Sequence, residues 1–158
     1  MTVPTPNSSE TRIHTGGPDR YPPRMLAEGN AQAPRRSAPV ILVVDDDDYV
    51  HSTLAAAMRA LRPEIIQART AAVGLRLALE RRPDVAIVDV GLPDHDGYEL
   101  TRLLRAEADL VDLRVCILTG HLPDETLARE VGANAIVGKP FRLNEFLDTI
   151  RGQLRVTA

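Results

Sequence analysis

Residues 40–48 read VILVVDDDD, a run of five apolar side chains followed at once by four aspartates. A continuous apolar run of this length is typical of a strand buried on both faces, as in a parallel sheet. The next segment repeats apolar residues at helical spacing, namely Val50, Leu54, Ala57, Met58 and Leu61. We therefore predict a strand followed by a helix, with Asp47 or Asp48 as the helix N-cap. His51 is expected on the surface of that helix.

The same order of strand and helix recurs along the rest of the chain. Further strands are predicted at 64–68, 85–89, 115–119 and 135–137. Further helices are predicted at 71–82, at 98–108, from 123–125 onward, and at 143–154. Strict alternation of strand and helix predicts an α/β fold, in which a doubly wound parallel sheet carries helices on both faces.

Composition divides the chain into a tail and one domain. Of the 158 residues, 44% are apolar and 26% are charged, which is typical of a globular protein. Residues 1–39 hold seven of the twelve prolines and no apolar run. Such a segment cannot bury enough apolar surface to offset its ordering entropy. We predict a disordered tail at 1–39 and a domain at 40–158, with no room for an output domain after the last helix.

Charge and cysteine content bound the possible partners and location. The formal net charge of -3 gives no electrostatic footprint for nucleic acid. No stretch approaches the roughly 20 apolar residues that a membrane-spanning helix needs. The single cysteine, Cys116, excludes an intramolecular disulfide and suits a reducing compartment. We expect a cytoplasmic protein that binds neither nucleic acid nor membranes.

Polar residues follow four of the five predicted strands at the point where each strand ends. Asp45 and Asp46 end the first strand, and Asp89 ends the third. Thr119 ends the fourth strand, and Lys139 comes shortly after the fifth. Ligands of open parallel sheets bind beyond the carboxyl ends of the strands. The sequence therefore predicts that three carboxylates, a hydroxyl and an ammonium converge on one edge of the sheet.

Clustered carboxylates repel each other, and a divalent cation would relieve that repulsion. Mg²⁺ prefers oxygen ligands and completes its shell with water and phosphate oxygens, so the cluster suits phosphoryl transfer. Lys139 is the one lysine among 19 basic residues. Its use where the chain otherwise uses arginine indicates a site that requires a compact ammonium.

These residues resemble those of a known family, the receiver domains of bacterial two-component response regulators. The resemblance covers residues 40–155. It rests on ILVVDDD (41–47), PDVAIVDVGLPDHDGYEL (83–100), ILTG (117–120), GA (132–133) and KPF (139–141). It implies a flavodoxin-like (βα)5 fold with strand order 2-1-3-4-5.

The resemblance also implies a role for each residue of the acidic cluster. Asp89 would be the phosphorylated carboxylate. Asp46 and Asp89 would bind Mg²⁺ directly, Asp45 would act through water, and the Gly91 carbonyl would add a ligand. Mn²⁺ would substitute for Mg²⁺. Beyond its own phosphorylation and slow dephosphorylation, a receiver of this kind is not an enzyme.

Further implications concern the phosphoryl group and the output. Thr119 would donate its hydroxyl to the phosphoryl group, Lys139 would pair with it, and the Lys139–Pro140 bond would be cis. The chain would be a stand-alone receiver, a monomer or weak dimer. It would be phosphorylated by a histidine kinase or a histidine phosphotransfer protein and would act by binding a downstream protein. Ile136 occupies a position where many receivers carry an aromatic switch residue, so this chain departs from the usual output mechanism.

Two alternatives remain open at this point. Residues 46–50 (DDDYV) also fit the DxDxV/T pattern of haloacid-dehalogenase-like phosphatases. Those enzymes need a second acidic pair after a later strand, whereas here the fourth strand ends in Thr119 and Gly120. The other alternative is a pseudo-receiver, a folded interaction module that is never phosphorylated. Such modules typically lack one of the acids or the lysine, and this chain has all of them.

Overall fold

The computed structural model describes residues 36–157, with side chains through Arg155. Within this range five strands alternate with five helices. The strands are β1 (Val40–Val44), β2 (Glu64–Ala68), β3 (Val85–Asp89), β4 (Arg114–Thr119) and β5 (Ala135–Gly138). The helices are α1 (Asp48–Ala57), α2 (Ala71–Arg81), α3 (Gly97–Ala106), α4 (Glu125–Glu130) and α5 (Leu143–Thr157). Of the predicted tail, residues 1–35 lie outside the described part of the chain.

The strands form one parallel sheet in the order β2-β1-β3-β4-β5. This arrangement confirms the predicted flavodoxin-like (βα)5 topology. The register pairs Asp89 with Leu118, and it pairs Thr119 with Gly138. The carboxyl ends of β3, β4 and β5 are therefore nearly level, which brings the residues after them to one edge.

Alternate residues of the central strands face opposite sides of the sheet and enter two separate apolar clusters. On one side Val44, Val88 and Ile117 pack with residues of α2, α3 and α4. On the other side Val43 and Leu118 pack with residues of α1 and α5. Because both faces are covered, the strands are continuous apolar runs rather than alternating ones. None of the helices within the described range combines the length and apolarity required to cross a membrane.

The helix starts are defined by polar side chains at the strand ends. Asp47, rather than Asp48, is the N-cap of α1, and its carboxylate accepts the N–H of Tyr49 at 2.8 Å.

The prediction that His51 lies on the helix surface was wrong, because this residue is only 4% exposed. His51 lies three residues before Leu54 and therefore extends the stripe of α1 that faces the sheet.

Candidate functional site

Three aspartates meet at the edge formed by the carboxyl ends of β1 and β3. Carboxylate oxygens of Asp45, Asp46 and Asp89 all lie within 4.8 Å of one another. Asp45 and Asp89 are buried, whereas Asp46 is exposed to solvent. The structure thus brings together all three of the predicted acidic residues, although they come from two different strand ends.

Asp45 is held in place by several hydrogen bonds. Its backbone N–H donates to the carbonyl of Ala68 at 3.0 Å. Its Oδ1 accepts the backbone N–H of Asp47 at 2.9 Å, and its Oδ2 accepts Lys139 Nζ at 3.0 Å. Both carboxylate oxygens therefore have protein partners, which gives this side chain a fixed orientation.

Lys139 joins the two buried carboxylates. Its Nζ lies 2.6 Å from Asp89 Oδ1 and 3.0 Å from Asp45 Oδ2, and its side chain is 27% exposed. Partial burial alone would lower the pKa of the ammonium, but the hydrogen bonds to Asp89 and Asp45 and their charges outweigh it. The net effect raises the pKa of Lys139 above its ordinary value, so the charged form is maintained.

The loop after β3 is shaped around Asp89. Asp89 Oδ2 accepts the backbone N–H of Gly91 at 2.8 Å. At Gly97, the first residue of α3, a Cβ atom would lie 2.3 Å from the carbonyl oxygen of Asp89. Only glycine therefore allows the start of α3 to approach the phosphoacceptor candidate this closely.

The same loop caps two helices. Asp96 caps α3 by accepting the N–H of Glu99 at 2.8 Å. Asp94 caps a different helix, because its oxygens accept the N–H groups of Ala71 and Ala72 in α2 at 2.8 and 3.0 Å. Because this contact joins residues 23 positions apart, local sequence patterns do not predict it.

Thr119 lies buried at the end of β4, one residue beyond the partner of Asp89. Its Oγ1 accepts the backbone N–H of His121 at 3.1 Å, which leaves the hydroxyl proton available for another acceptor. Its carbonyl accepts the N–H of Lys139 at 2.6 Å. The Lys139–Pro140 peptide bond is cis, as predicted.

The residues at this edge fit a hard divalent cation. Three carboxylates face a single ammonium, so the cluster carries a formal charge of about -2 that one such ion would balance. The side-chain donors are all oxygens, the ligand type that Mg²⁺ and Mn²⁺ prefer. The exposed side chain of Asp46 leaves one side of the cluster open to solvent, where water molecules and phosphate oxygens can complete a coordination shell.

Comparison with known proteins agrees with this geometry. Residues 41–151 match the model of the family described as the response regulator receiver domain. The chain belongs to this family. Receiver domains are signalling domains of two-component systems rather than classical enzymes. In this receiver β4 ends at Thr119 and is followed by Gly120, whereas the phosphatase alternative requires an acidic pair there.

Several relatives resemble this receiver in sequence and structure. The transcriptional regulatory protein PrrA of Mycobacterium leprae (strain TN) is 36% identical over 121 residues, which are 75% of this chain and 51% of PrrA. The CheY-like receiver domain protein of Methanospirillum hungatei JF-1 superposes with a TM-score of 0.71 at 26% identity, covering 77% of this chain and 97% of that chain. The BeF3-activated DrrB receiver domain superposes with a TM-score of 0.67 at 28% identity, covering 75% and 98%.

The receiver spans about half the length of the curated relatives it matches. The other half of each relative therefore has no counterpart in the matched residues.

Proposed function

We propose that this receiver accepts a phosphoryl group on Asp89 from a histidine kinase or a histidine phosphotransfer protein, in a reaction that depends on Mg²⁺. The observation that carries this proposal is the position of Lys139, whose ammonium joins Asp89 to Asp45 at the acidic edge. A carboxylate nucleophile, a cation and clustered metal-ligand acids are the groups that phosphoryl transfer requires.

Four groups of the chain would hold the metal ion. Asp46 and Asp89 would bind it directly, Asp45 would act through water, and the Gly91 carbonyl would complete the protein ligands. The indirect role of Asp45 is the one that the family resemblance implies, since the carboxylate oxygens of Asp45 and of Asp89 alike have protein partners. When bound, Mg²⁺ would supply positive charge to the oxygens of the transferring phosphoryl group.

The chain's own groups would divide the remaining work. A carboxylate oxygen of Asp89 attacks phosphorus and forms the acyl phosphate. The P–N bond of the phosphohistidine donor breaks, its electron pair stays on the imidazole nitrogen, and that nitrogen takes up a proton from solvent water. Lys139 offsets the negative charge on the transferred phosphoryl group. The Thr119 hydroxyl, whose proton is not used within the described part of the chain, donates a hydrogen bond to one of the phosphoryl oxygens.

Output through a phosphorylation-dependent contact with a downstream protein is part of the same proposal, as is a cytoplasmic location. The prediction of no nucleic-acid partner is in tension with the relatives, because PrrA is named as a transcriptional regulatory protein. The prediction of a stand-alone receiver stays a prediction, since the chain covers only half of those relatives. The intact mass of the natural gene product would test it.

The phosphoacceptor is tested with a small phosphodonor such as acetyl phosphate, with and without Mg²⁺, followed by intact-mass measurement. We expect the wild type to gain one phosphoryl group only when Mg²⁺ is present. Asp89→Asn should gain none, because an amide is a far poorer nucleophile than a carboxylate. Asp48→Asn is the matched control, since Asp48 is exposed and pairs with Arg69 outside the cluster.

Two results would contradict the proposal in different ways. Full modification of Asp89→Asn would move the acceptor to another residue. A wild type that binds Mg²⁺ but is never modified by any donor would instead favour the pseudo-receiver alternative.

A further inference from the structure

Within the described part of the chain, the side chain of His51 makes one hydrogen bond, and that bond is to the backbone of the acidic cluster. This histidine is buried on the inward face of α1, and its Nε2 lies 2.7 Å from the carbonyl oxygen of Asp45. A carbonyl oxygen can only accept a hydrogen bond, so the proton must be on Nε2. The contact therefore places a proton on Nε2.

The other ring nitrogen has no such contact. Among the described residues with side chains, His51 Nδ1 is the one buried side-chain nitrogen or oxygen that lacks a hydrogen-bond partner. Burial of an unpaired polar atom costs free energy, and an apolar side chain would fill the same space without that cost. What the histidine adds over an apolar residue is thus its Nε2–H bond to Asp45.

This bond completes the attachment of Asp45 to the rest of the domain. Asp45 follows the last residue of β1, and the ladder between β1 and β3 ends at Val44 and Val88. The carbonyl of Asp45 therefore has no strand partner there, and His51 supplies the donor instead. With its N–H and both carboxylate oxygens also bonded, every polar group of Asp45 has a protein partner.

The Asp45 carbonyl belongs to the peptide unit that joins Asp45 to Asp46. A donor that fixes this carbonyl fixes the plane of that peptide, and hence the direction in which Asp46 leaves the backbone. Asp46 is exposed, and its side chain makes no hydrogen bond to the described residues 36–157. The direction of its Cα–Cβ bond, and so the region that its carboxylate can reach, is then set by the backbone that precedes it.

We propose that His51 is a positioning residue, which fixes the Asp45–Asp46 peptide through its Nε2–H and thereby sets the affinity of the acidic cluster for Mg²⁺. This inference rests on the proposed function, in which Asp46 is a direct metal ligand. Removal of an outer-shell partner of a metal site typically lowers metal affinity about 10- to 100-fold. His51 contacts the backbone next to a metal ligand rather than the ligand side chain itself. We therefore expect its removal to lower Mg²⁺ affinity about tenfold, the lower end of that range.

Two variants separate the hydrogen bond from the space that the ring fills. His51→Met retains a long side chain but has no donor, whereas His51→Gln carries an amide N–H at a similar distance from the backbone. Mg²⁺ is titrated into each full-length variant while backbone amide shifts are followed, and thermal stability is measured in parallel. His95→Met is the control, because His95 is exposed and contacts Glu99 outside the cluster.

We expect His51→Met to bind Mg²⁺ about tenfold more weakly than the wild type, and His51→Gln to recover most of the affinity. A purely structural role would lower the melting temperature of both variants and leave Mg²⁺ affinity unchanged, and that result would overturn the inference. A wild type that binds no Mg²⁺ would overturn the proposed function as well, so the two failures are distinguishable.

A measurement on the wild type tests the inference even if the variants do not fold. Long-range ¹H–¹⁵N correlation spectra of the histidine rings report which nitrogen carries the proton. We expect His51 to be the Nε2–H tautomer, with a ring signal that shifts when Mg²⁺ is added. An Nδ1–H tautomer, or a signal insensitive to saturating Mg²⁺, would overturn the proposal.

Discussion

Lys139 Nζ lies 2.6 Å from Asp89 Oδ1, although the strands that carry these residues are not neighbours. β4 lies between β3 and β5, so the lysine side chain reaches across the end of β4 to contact Asp89. Thr119, at the end of β4, binds the backbone N–H of the same lysine through its carbonyl. The cationic group, the hydroxyl residue and the candidate phosphoacceptor thus form one connected unit.

The first prediction concerns the chemical nature of the cation. Lys139→Arg should fold, because the substitution keeps a positive charge beside the two buried carboxylates. Its planar guanidinium should not occupy the space of a compact ammonium between two carboxylates. We expect a much smaller change in backbone amide shifts on addition of beryllofluoride, a phosphoryl mimic.

The control for this substitution is Arg142→Lys, which exchanges the same two residue types at an exposed position. It should respond to beryllofluoride as the wild type does. If Lys139→Arg responds to beryllofluoride as fully as the wild type, the site does not require a compact ammonium, and the single lysine of the chain has no functional cause.

The second prediction concerns the close approach of α3 to Asp89. Gly97→Ala should destabilise the domain by about 1–3 kcal/mol, because the new Cβ would overlap the Asp89 carbonyl and the backbone would have to shift. Phosphorylation by acetyl phosphate should also slow. Gly152→Ala is the control in α5, where a Cβ meets no atom within 4 Å.

Alanine at Gly152 should stabilise the domain by up to about 1 kcal/mol through its higher helix propensity. Urea unfolding of both variants measures the difference. Equal stability of the two glycine variants would contradict the close contact at Asp89.

The third prediction concerns pH. Hydrogen bonds from the N–H groups of Ala72 and Ala71 lower the pKa of Asp94 below its ordinary value of about 3.9. A carboxylate whose pKa is lowered on folding contributes stability above its unfolded pKa, and this contribution is lost as pH falls through the folded pKa. Asp94→Asn should therefore melt at a lower temperature than the wild type at neutral pH.

The difference in melting temperature between Asp94→Asn and the wild type should shrink as the pH falls through the folded pKa of Asp94, below about 3.9. Asp112 is exposed, so Asp112→Asn should melt at nearly the same temperature as the wild type both at neutral pH and below about pH 3.9. If the difference in melting temperature between Asp94→Asn and the wild type stays constant as the pH falls below about 3.9, the charge of Asp94 plays no part in capping α2.

The fourth prediction concerns signal transmission. Thr119→Ala removes the hydroxyl that would contact the phosphoryl group, so beryllofluoride should no longer shift the amides of residues 135–150. Asp89 should remain modifiable by acetyl phosphate. Thr119→Ser keeps the hydroxyl and should retain most of the response, whereas an unchanged response in Thr119→Ala would exclude this route.

Ile136 bears on the same question. It lies in β5, partly buried and packed against the apolar cluster beside α4, and it has neither a ring nor a hydroxyl. Ile136→Tyr should therefore change partner affinity by about 1 kcal/mol or less, since total coupling energies are typically a few kcal/mol. Affinity for the histidine kinase or histidine phosphotransfer protein is measured with and without beryllofluoride. A larger change in this affinity would show that an aromatic residue at position 136 can control how phosphorylation alters partner binding.

The order and type of the secondary structure elements could be predicted from local patterns. VILVV at 40–44 and VAIV at 85–88 are apolar throughout, and the strands that contain them, 40–44 and 85–89, have the predicted bounds. Helix ends were less accurate, since the third helix was predicted to reach Ala108 but ends at Ala106, before a short 3₁₀ turn. End positions depend on capping contacts, which periodicity alone does not report.

The chemistry of the acidic edge was also determined by the sequence, because parallel strands bring their carboxyl ends to one side regardless of side-chain detail. The partners of individual groups were decided only by the tertiary structure. Lys139 meets Asp45 across 94 residues, Asp94 caps a helix that precedes it, and His51 turns inward to the Asp45 carbonyl. These contacts depend on strand order and on how each helix is rotated against the sheet, and both are set by packing between segments distant in the chain.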